Sequence, residues 1–279
     1  MPGADETRSH QTRFHRSRPD RTRELQKQGL TDLVRFGQPR FTDTWFPYTS
    51  GEVGPYYIQS IAVEGDGAAY RRAVDALCEL AELTVGVDGF DAVSGGESRD
   101  WDFSNPVAAS LSKPHIKIYK NGRLLGAEPA GARILHVADL NNQGSSMRDI
   151  WEPTLREAGG KLVGALFFVD RLEDGVGVLR DLGIPTASVV PLDEAAWAFL
   201  RDIEYISDDL YASLRRRLED KHAWGIEALR SHIEPLGEML ESTDEREISR
   251  GRRILDVGYP QHREELLDIL NRRGFDVDD

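Results

Sequence analysis

The chain is predicted to be an α/β protein: a Rossmann-like parallel sheet with flanking helices, followed by a C-terminal helical appendage. Three observations predict this. Short apolar runs alternate with helically spaced segments between residues 91 and 192, the pattern of parallel strands joined by crossover helices. The run 163–169, which contains Phe167 and Phe168, is apolar at consecutive positions, as a strand covered on both faces must be. From residue 193 the strand patterns stop, and Leu210, Leu214 and Leu218 recur on one helical face, with Trp224, Ala228 and Ile233 at looser spacing.

Taken in order, residues 1–24 are polar, rich in Arg and His and nearly free of aliphatic residues, the composition of a disordered tail. The acids Asp5, Glu6, Asp20 and Glu24 weigh against a nucleic-acid-binding arm there. Residues 25–195 form the main domain. Its first helix is signalled by Leu25, Leu30, Leu33 and Val34. Residues 41–61 are aromatic and turn-rich, with Ser50-Gly51 and Gly54-Pro55 flanking Tyr56, Tyr57 and Ile58, which suits a hairpin or a hood over a cleft; plain packing serves these rings equally. Residues 70–83 are an amphipathic helix through Val74, Leu77, Cys78 and Leu80. Ala92-Val93 end a strand, residues 107–111 are a short helical piece, and residues 114–119 are the next strand. Asn121-Gly122-Arg123-Leu124-Leu125-Gly126 reads as a tight turn. After the strand 187–190 comes the region 196–279, where residues 245–253 are dense in charge, as a solvated helix face is.

Length and composition bound the function. With 279 residues there is room for one large domain with an appendage. The net charge of −13 argues against non-specific nucleic-acid binding. No apolar run reaches the length of a membrane span, and the N-terminus has no apolar leader. Cys78 is the only cysteine, so no intramolecular disulfide is possible; a cytoplasmic protein is expected. His115, His136, His222, His232 and His262 lack metal-ligand spacing and read as core or surface residues. The apolar faces of the C-terminal helices need a cover, either the domain or a second copy, and a homodimer is expected.

Two stretches carry candidate chemistry. In 133–148 an apolar strand, 134–137, runs into Asp139 and then into the small polar turn Asn141-Asn142-Gln143-Gly144-Ser145-Ser146. A helical pattern follows through Met147, Ile150, Trp151 and Leu155. Strand, small polar turn and helix together present N–H groups and hydroxyls to a phosphate. The same sequence also reads as a plain connection with Ser145 as an N-cap. The second stretch is Ser94-Gly95-Gly96 after a strand, a possible anion nest, followed by Glu97-Ser98-Arg99-Asp100-Trp101-Asp102. Arg99 can clamp a phosphate with its planar fork, or pair with a neighbouring acid on the surface. Trp101 needs either a packing partner or a ligand to stack on.

These residues, with Ala158-Gly159-Gly160 before the strand 163–169 and Asp170-Arg171 after it, resemble a type I phosphoribosyltransferase, most of all orotate phosphoribosyltransferase, over about residues 41–192. Tyr48-Thr49-Ser50-Gly51 and Pro55-Tyr56-Tyr57-Ile58 resemble that enzyme's N-terminal substrate segment. The resemblance implies the phosphoribosyltransferase fold and a phosphoribosyl diphosphate or nucleotide ligand. It implies Mg²⁺ carried by the donor's oxygens and water, with no direct protein ligand. Asp139, Arg99 and Lys120 fall to catalytic roles, with Asp139 on the ribose hydroxyls. Ser94, Gly95, Gly96, Asn142, Gln143, Gly144, Ser145 and Ser146 fall to donor phosphates. Arg171, Tyr57 and Trp101 fall to the base.

Three departures stand out. Ala138 replaces the first acid of the family's pair, Asn141-Asn142-Gln143 replaces its Thr-rich turn, and the long closing loop is missing at 121–126. The expected function is that of a phosphoribosyltransferase-like protein that binds phosphoribosyl diphosphate or a nucleotide, with transfer of phosphoribose to a base other than orotate as its activity; the missing acid and loop favour the alternative. The alternative is a non-catalytic sensor of the donor or a nucleotide, and a scaffold role for the charged helical region is a third possibility.

Overall fold

The computed structural model describes residues 19–37 and 39–277. The elements in chain order are α1 (Pro19–Asp32), the strands β1 (Arg40–Pro47) and β2 (Val53–Tyr57), α2 (Gly67–Thr84), β3 (Ala92–Gly96), α3 (Asp100–Ser110), β4 (His115–Ile118), β5 (Leu124–Gly126), β6 (Arg133–Asn141), α4 (Glu152–Glu157), β7 (Lys161–Asp170), α5 (Gly175–Asp181), β8 (Thr186–Pro191) and α6 (Glu194–Asp202). Then follow α7 (Asp208–Glu219), α8 (Lys221–Ser231), α9 (Glu234–Leu240), α10 (Glu245–Arg253) and α11 (Arg263–Arg273). The described residues form two compact units, one of 19–37 with Ser60–Ala196, the other of 39–59 with 197–277.

The first unit is built on a six-stranded sheet of order β5-β4-β3-β6-β7-β8, parallel except for the edge strand β5. Consecutive apolar residues make β6 and β7 buried on both faces. Ile134, Ala165 and Phe167 pack with Met147, Trp151, Leu155 and Leu179 in one cluster, while Phe103 of α3 stacks on Phe168 at 5.3 Å. Each of the buried Ile, Leu, Met and Phe side chains contributes roughly 1.5–3 kcal/mol by leaving water. Asp66 caps α2, its carboxylate accepting from the Ala69 N–H at 2.8 Å. At the start of the sheet the Asp91 carboxylate takes the Arg133 N–H and guanidinium. These hydrogen bonds hold its pKa down at about 2.

The chain runs from β3 through α3 to β4 on one side, then crosses to β6 on the other side of β3. The switch point of this sheet therefore lies between the C-terminal ends of β3 and β6, where open α/β sheets hold ligands. Because β3, β4, β6, β7 and β8 are parallel, Gly96, Ile118, Asn141 and Asp170 all end on that same edge.

In the second unit β1 and β2 pair antiparallel. Trp45 and Val53 of this hairpin share a core with Trp224, Leu229, Ile233, Leu236, Ile254 and Leu266 from the helices. The Trp45 indole donates to the His232 carbonyl at 2.8 Å. Asp220 caps α8 by accepting from Ala223, and Ser207 caps α7 by accepting from Leu210. No helix among the described residues is long and apolar enough to cross a membrane.

Three expectations are revised. The helix α1 begins at Pro19, so residues 19–24 are not tail. Their charges are anchored, Arg21 to Glu24 and Glu79, and Arg23 to Asp193; residues 1–18 lie outside the described residues. The segment 39–59, read as part of the main domain, groups with the C-terminal helices because its apolar side chains are spent on their core. The strand β6 runs to Asn141, four residues past the expected end, because Leu140 and Asn141 keep register with Val169 and Asp170 of β7.

Candidate functional site

At the switch point β6 delivers Asp139, which is buried. The Ser60 hydroxyl donates to its Oδ2 at 2.6 Å. Asp100, in the first turn of α3, is in hydrogen-bonding contact with it. The cause of its position is local: Asp100 Oδ2 accepts from the Gly96 N–H at 3.0 Å and lies 3.5 Å from His136 Nε2. The other ring nitrogen of His136 meets the Ser94 hydroxyl at 3.0 Å. Burial, and then the Asp100 charge beside it, push the Asp139 carboxyl up to about 7, against the opposing pull of the Ser60 hydrogen bond and, more weakly, of Arg99. Beside this chain, His115 Nε2 meets the Ser104 hydroxyl at 2.9 Å, and burial lowers its pKa to about 4.

The glycines of β3 have a packing reason as well as a ligand reason. A Cβ at Gly95 would collide with the Ser104 side chain, and one at Gly96 with the Trp151 ring. The anion that the Gly96 N–H holds is the chain's own Asp100. Ser94 is wholly buried, and its hydroxyl, expected at a phosphate, is committed to His136. The Trp101 indole donates to the Gly95 carbonyl at 2.8 Å. The Trp101 ring meets Tyr119 edge-on at 5.0 Å, with Lys117 Nζ 5.2 Å above it, so this ring, expected on a base, has protein partners. Arg99 and Lys120 are exposed. The Lys120 N–H donates to Glu97 Oε2 at 2.8 Å, which ties the loop after β3 to the turn after β4.

The turn 142–146 follows β6 and is anchored on α5. The Gly175 N–H donates to the Asn142 carbonyl at 2.8 Å. Gly144 has φ +66, and a Cβ there would lie 3.2 Å from Val178, so the left-handed turn and its closeness to α5 both require glycine. Gln143 lies beside it, half-buried, and Ser145 and Ser146 are exposed at the start of the next helical segment. Asn141 donates to both Asp170 oxygens at 3.3 and 3.2 Å, and Asp170 also accepts from the Leu172 N–H at 2.8 Å. This holds Leu172 at φ +55 with its side chain exposed, beside a buried Arg171.

The edge thus brings together Asp139, Gly95, Gly96, Arg99, Trp101, Lys120, the 142–146 turn and Arg171. Tyr57 belongs to the second unit, where Arg40 lies 5.1 Å above its ring and Gln59 donates to its hydroxyl at 2.5 Å.

Sequence reasoning missed Asp100, His136 and Ser60. Asp100 stood among other charges and His136 among scattered histidines. Only its place inside the apolar run of β6, between Leu135 and Val137, hinted that His136 would be buried with a partner. Among the described residues no group of three or more His, Cys, Asp or Glu side chains is placed to hold a metal ion.

The turn expected at 121–126 is the β4–β5 hairpin. The Gly122 N–H donates to the Tyr119 carbonyl and the Tyr119 N–H to the Arg123 carbonyl, both at 2.9 Å, and the chain returns at once as β5.

No protein-family model matches the chain. It is 31% identical over 155 residues to an orotate phosphoribosyltransferase of Sulfolobus acidocaldarius, covering 53% of this chain and 76% of the relative. Among solved structures, the orotate phosphoribosyltransferase of Aeropyrum pernix superposes with a TM-score of 0.55 at 26% identity, over 63% of this chain and 99% of that one. The UMP synthase of Leishmania donovani gives a TM-score of 0.60 at 22% identity, over 71% of this chain and 42% of that one, a likeness of fold alone. With the parallel sheet, the switch-point site and this identity to the Sulfolobus relative, the chain belongs to the type I phosphoribosyltransferase family, on the side of its orotate phosphoribosyltransferases.

Proposed function

We propose that this protein binds phosphoribosyl diphosphate at the shared edge of β3, β6 and β7 and transfers the phosphoribosyl group to a nitrogen acceptor other than orotate. The observation that carries the reading is the buried Asp139 at the switch point, directly followed by the α5-anchored turn 142–146. In the reaction the C1–O bond to diphosphate breaks with its electron pair leaving on oxygen, a C1–N bond forms, and the acceptor nitrogen gives up its proton. The exposed Ser145 and Ser146 and the turn's N–H groups suit the 5-phosphate. Asp139 accepts from the ribose hydroxyls. Arg99 and Lys120 face the diphosphate end, and the buried Arg171 borders the acceptor. Mg²⁺, entering on the donor's oxygens, would neutralise the departing diphosphate. A homodimer in the cytoplasm completes the reading, and light scattering that finds only monomer would remove the dimer.

One observation favours a second reading, a sensor that binds the donor or a nucleotide without turnover. The β4–β5 hairpin turns back within Tyr119–Arg123, leaving no long segment there to close over a donor. Calorimetry with phosphoribosyl diphosphate, with and without Mg²⁺, followed by a diphosphate-release screen over purine and pyrimidine bases, separates the two. Release with any base supports transfer. Binding without release supports the sensor, and absence of binding removes both.

A further inference from the structure

Asp139 has no acidic neighbour in sequence, since Ala138 precedes it, but it has one in space. The Asp100 carboxyl reaches it from the first turn of α3, on a different strand-to-helix connection. Asp100 is not a stray surface acid. The Gly96 N–H donates to it at 3.0 Å, His136 Nε2 stands 3.5 Å away, and His136 is itself set by Ser94 at 3.0 Å. Asp139 is held on its other side by the Ser60 hydroxyl at 2.6 Å. Each carboxyl is thus held by partners of its own, Asp100 by the Gly96 N–H beside His136 and Asp139 by Ser60.

We propose that Asp100 is the second carboxyl of a hydroxyl-gripping pair with Asp139, and that the pair meets a vicinal diol. The inference rests on the proposed sugar-phosphate site and adds a residue to it. Two carboxylates in contact at a buried position do not both stay ionised. A pair with one proton offers acceptor oxygens and one donor, which matches two adjacent hydroxyls that must each donate and accept. The raised Asp139 agrees with this. The charged and titratable groups around the pair are few. Arg99 opposes the proton on Asp139. His136 lies against Asp100, with His115 as its neighbour on β4. Asp102, farther along α3, and Glu64, in the short helical turn that begins at Ser60, add negative charge, both raised by burial. This arrangement supplies the two-acid grip from separate elements and leaves position 138 apolar, where Ala138 packs in the core with Phe167 and Trp151.

The test compares ribose 5-phosphate with 2-deoxyribose 5-phosphate by calorimetry on the full chain. The parent should prefer ribose 5-phosphate by about 10-fold, the worth of one hydrogen bond to a charged group. In Asp100→Asn that preference should fall to about 2-fold while the deoxy sugar binds as before, because Asn keeps an acceptor for the Gly96 N–H. A preference left at the parent level, or equal weakening of both sugars, overturns the role of Asp100.

A second measurement needs no ligand. Carbon-13 carboxyl NMR should show Asp139 titrating near pH 7 in the parent and clearly lower in Asp100→Asn. An Asp139 titration that does not move overturns the pair. If the parent binds neither sugar, the site reading fails and the diol role falls with it, while the NMR result decides the shared proton independently.

Discussion

At the scale of single residues, two buried titratable groups pull stability in opposite directions. The folded-state pKa of Asp139 lies at about 7, above its usual 3.8, so the folded form is favoured with the proton on. That contribution is complete below about pH 4 and is lost as pH rises to 7. His115 lies at about 4, below its usual 6.5, so its contribution is complete above pH 6.5 and is lost as pH falls to 4. Melting curves should therefore show Asp139→Asn gaining on the parent at pH 8 and losing that advantage by pH 4. His115→Gln, which keeps a polar partner for Ser104, should narrow its deficit as pH drops below 6. Parallel curves for parent and variants across this range would contradict both assignments. Ligand contacts are tested at the surface. Ser145 is exposed, so Ser145→Asp should fold normally and weaken phosphoribosyl diphosphate at least 10-fold by charge repulsion. Arg99→Ala should weaken it by about the 1.5–3 kcal/mol of a charge-assisted hydrogen bond. Parent-like affinity in Ser145→Asp would move the phosphate elsewhere.

At the scale of elements, the 142–146 turn depends on one glycine. Gly144→Ala must place a Cβ at φ +66 and 3.2 Å from Val178, a strain of about 1–2 kcal/mol. Urea denaturation should show a loss of that size, and ligand affinity should fall with it because the turn shifts off α5. An unchanged midpoint would mean that the turn relaxes freely. The β4–β5 hairpin bears on chemistry. A chain that turns back between Tyr119 and Arg123 cannot exclude water over a diphosphate from that side, so orotate turnover should be negligible beside that of an orotate enzyme. Rapid Mg²⁺-dependent formation of orotidine monophosphate would overturn this argument.

At the scale of the whole molecule, the C-terminal helices are not a detachable appendage. Trp45 and Val53 of the hairpin are buried in a core whose other members come from the helices after residue 220. Removing residues 197–279 leaves that apolar face bare, with Trp45 and Val53 each forfeiting roughly 1.5–3 kcal/mol of burial. The truncated chain should aggregate or bind a hydrophobic dye strongly; a monomeric, dye-negative product with native near-ultraviolet dichroism would show the hairpin to be independent. Because the second unit is built from 39–59 and the C-terminal region, neither piece completes its core alone.

The sequence by itself determined the parallel sheet, the strand, turn and helix order around Asp139, and the early return of the chain after β4. Each of these rests on local physics: consecutive apolar residues demand cover on both faces, and Asn121-Gly122 closes a hairpin within a few residues. It also held the family resemblance, which lives in the order of these short motifs. The neighbours of Asp139 were decided only by tertiary structure. Asp100 and Ser60 lie 39 and 79 positions away from it in the chain, and nothing local distinguishes Asp100 from the acid two residues on. What selects it is the α3 turn, which docks against β3 because Gly95 leaves room for Ser104. The second unit was hidden for the same reason. A hairpin's aromatic residues state that they need burial, but not which distant helices will bury them, because apolar contact carries no address until the chain has closed on itself.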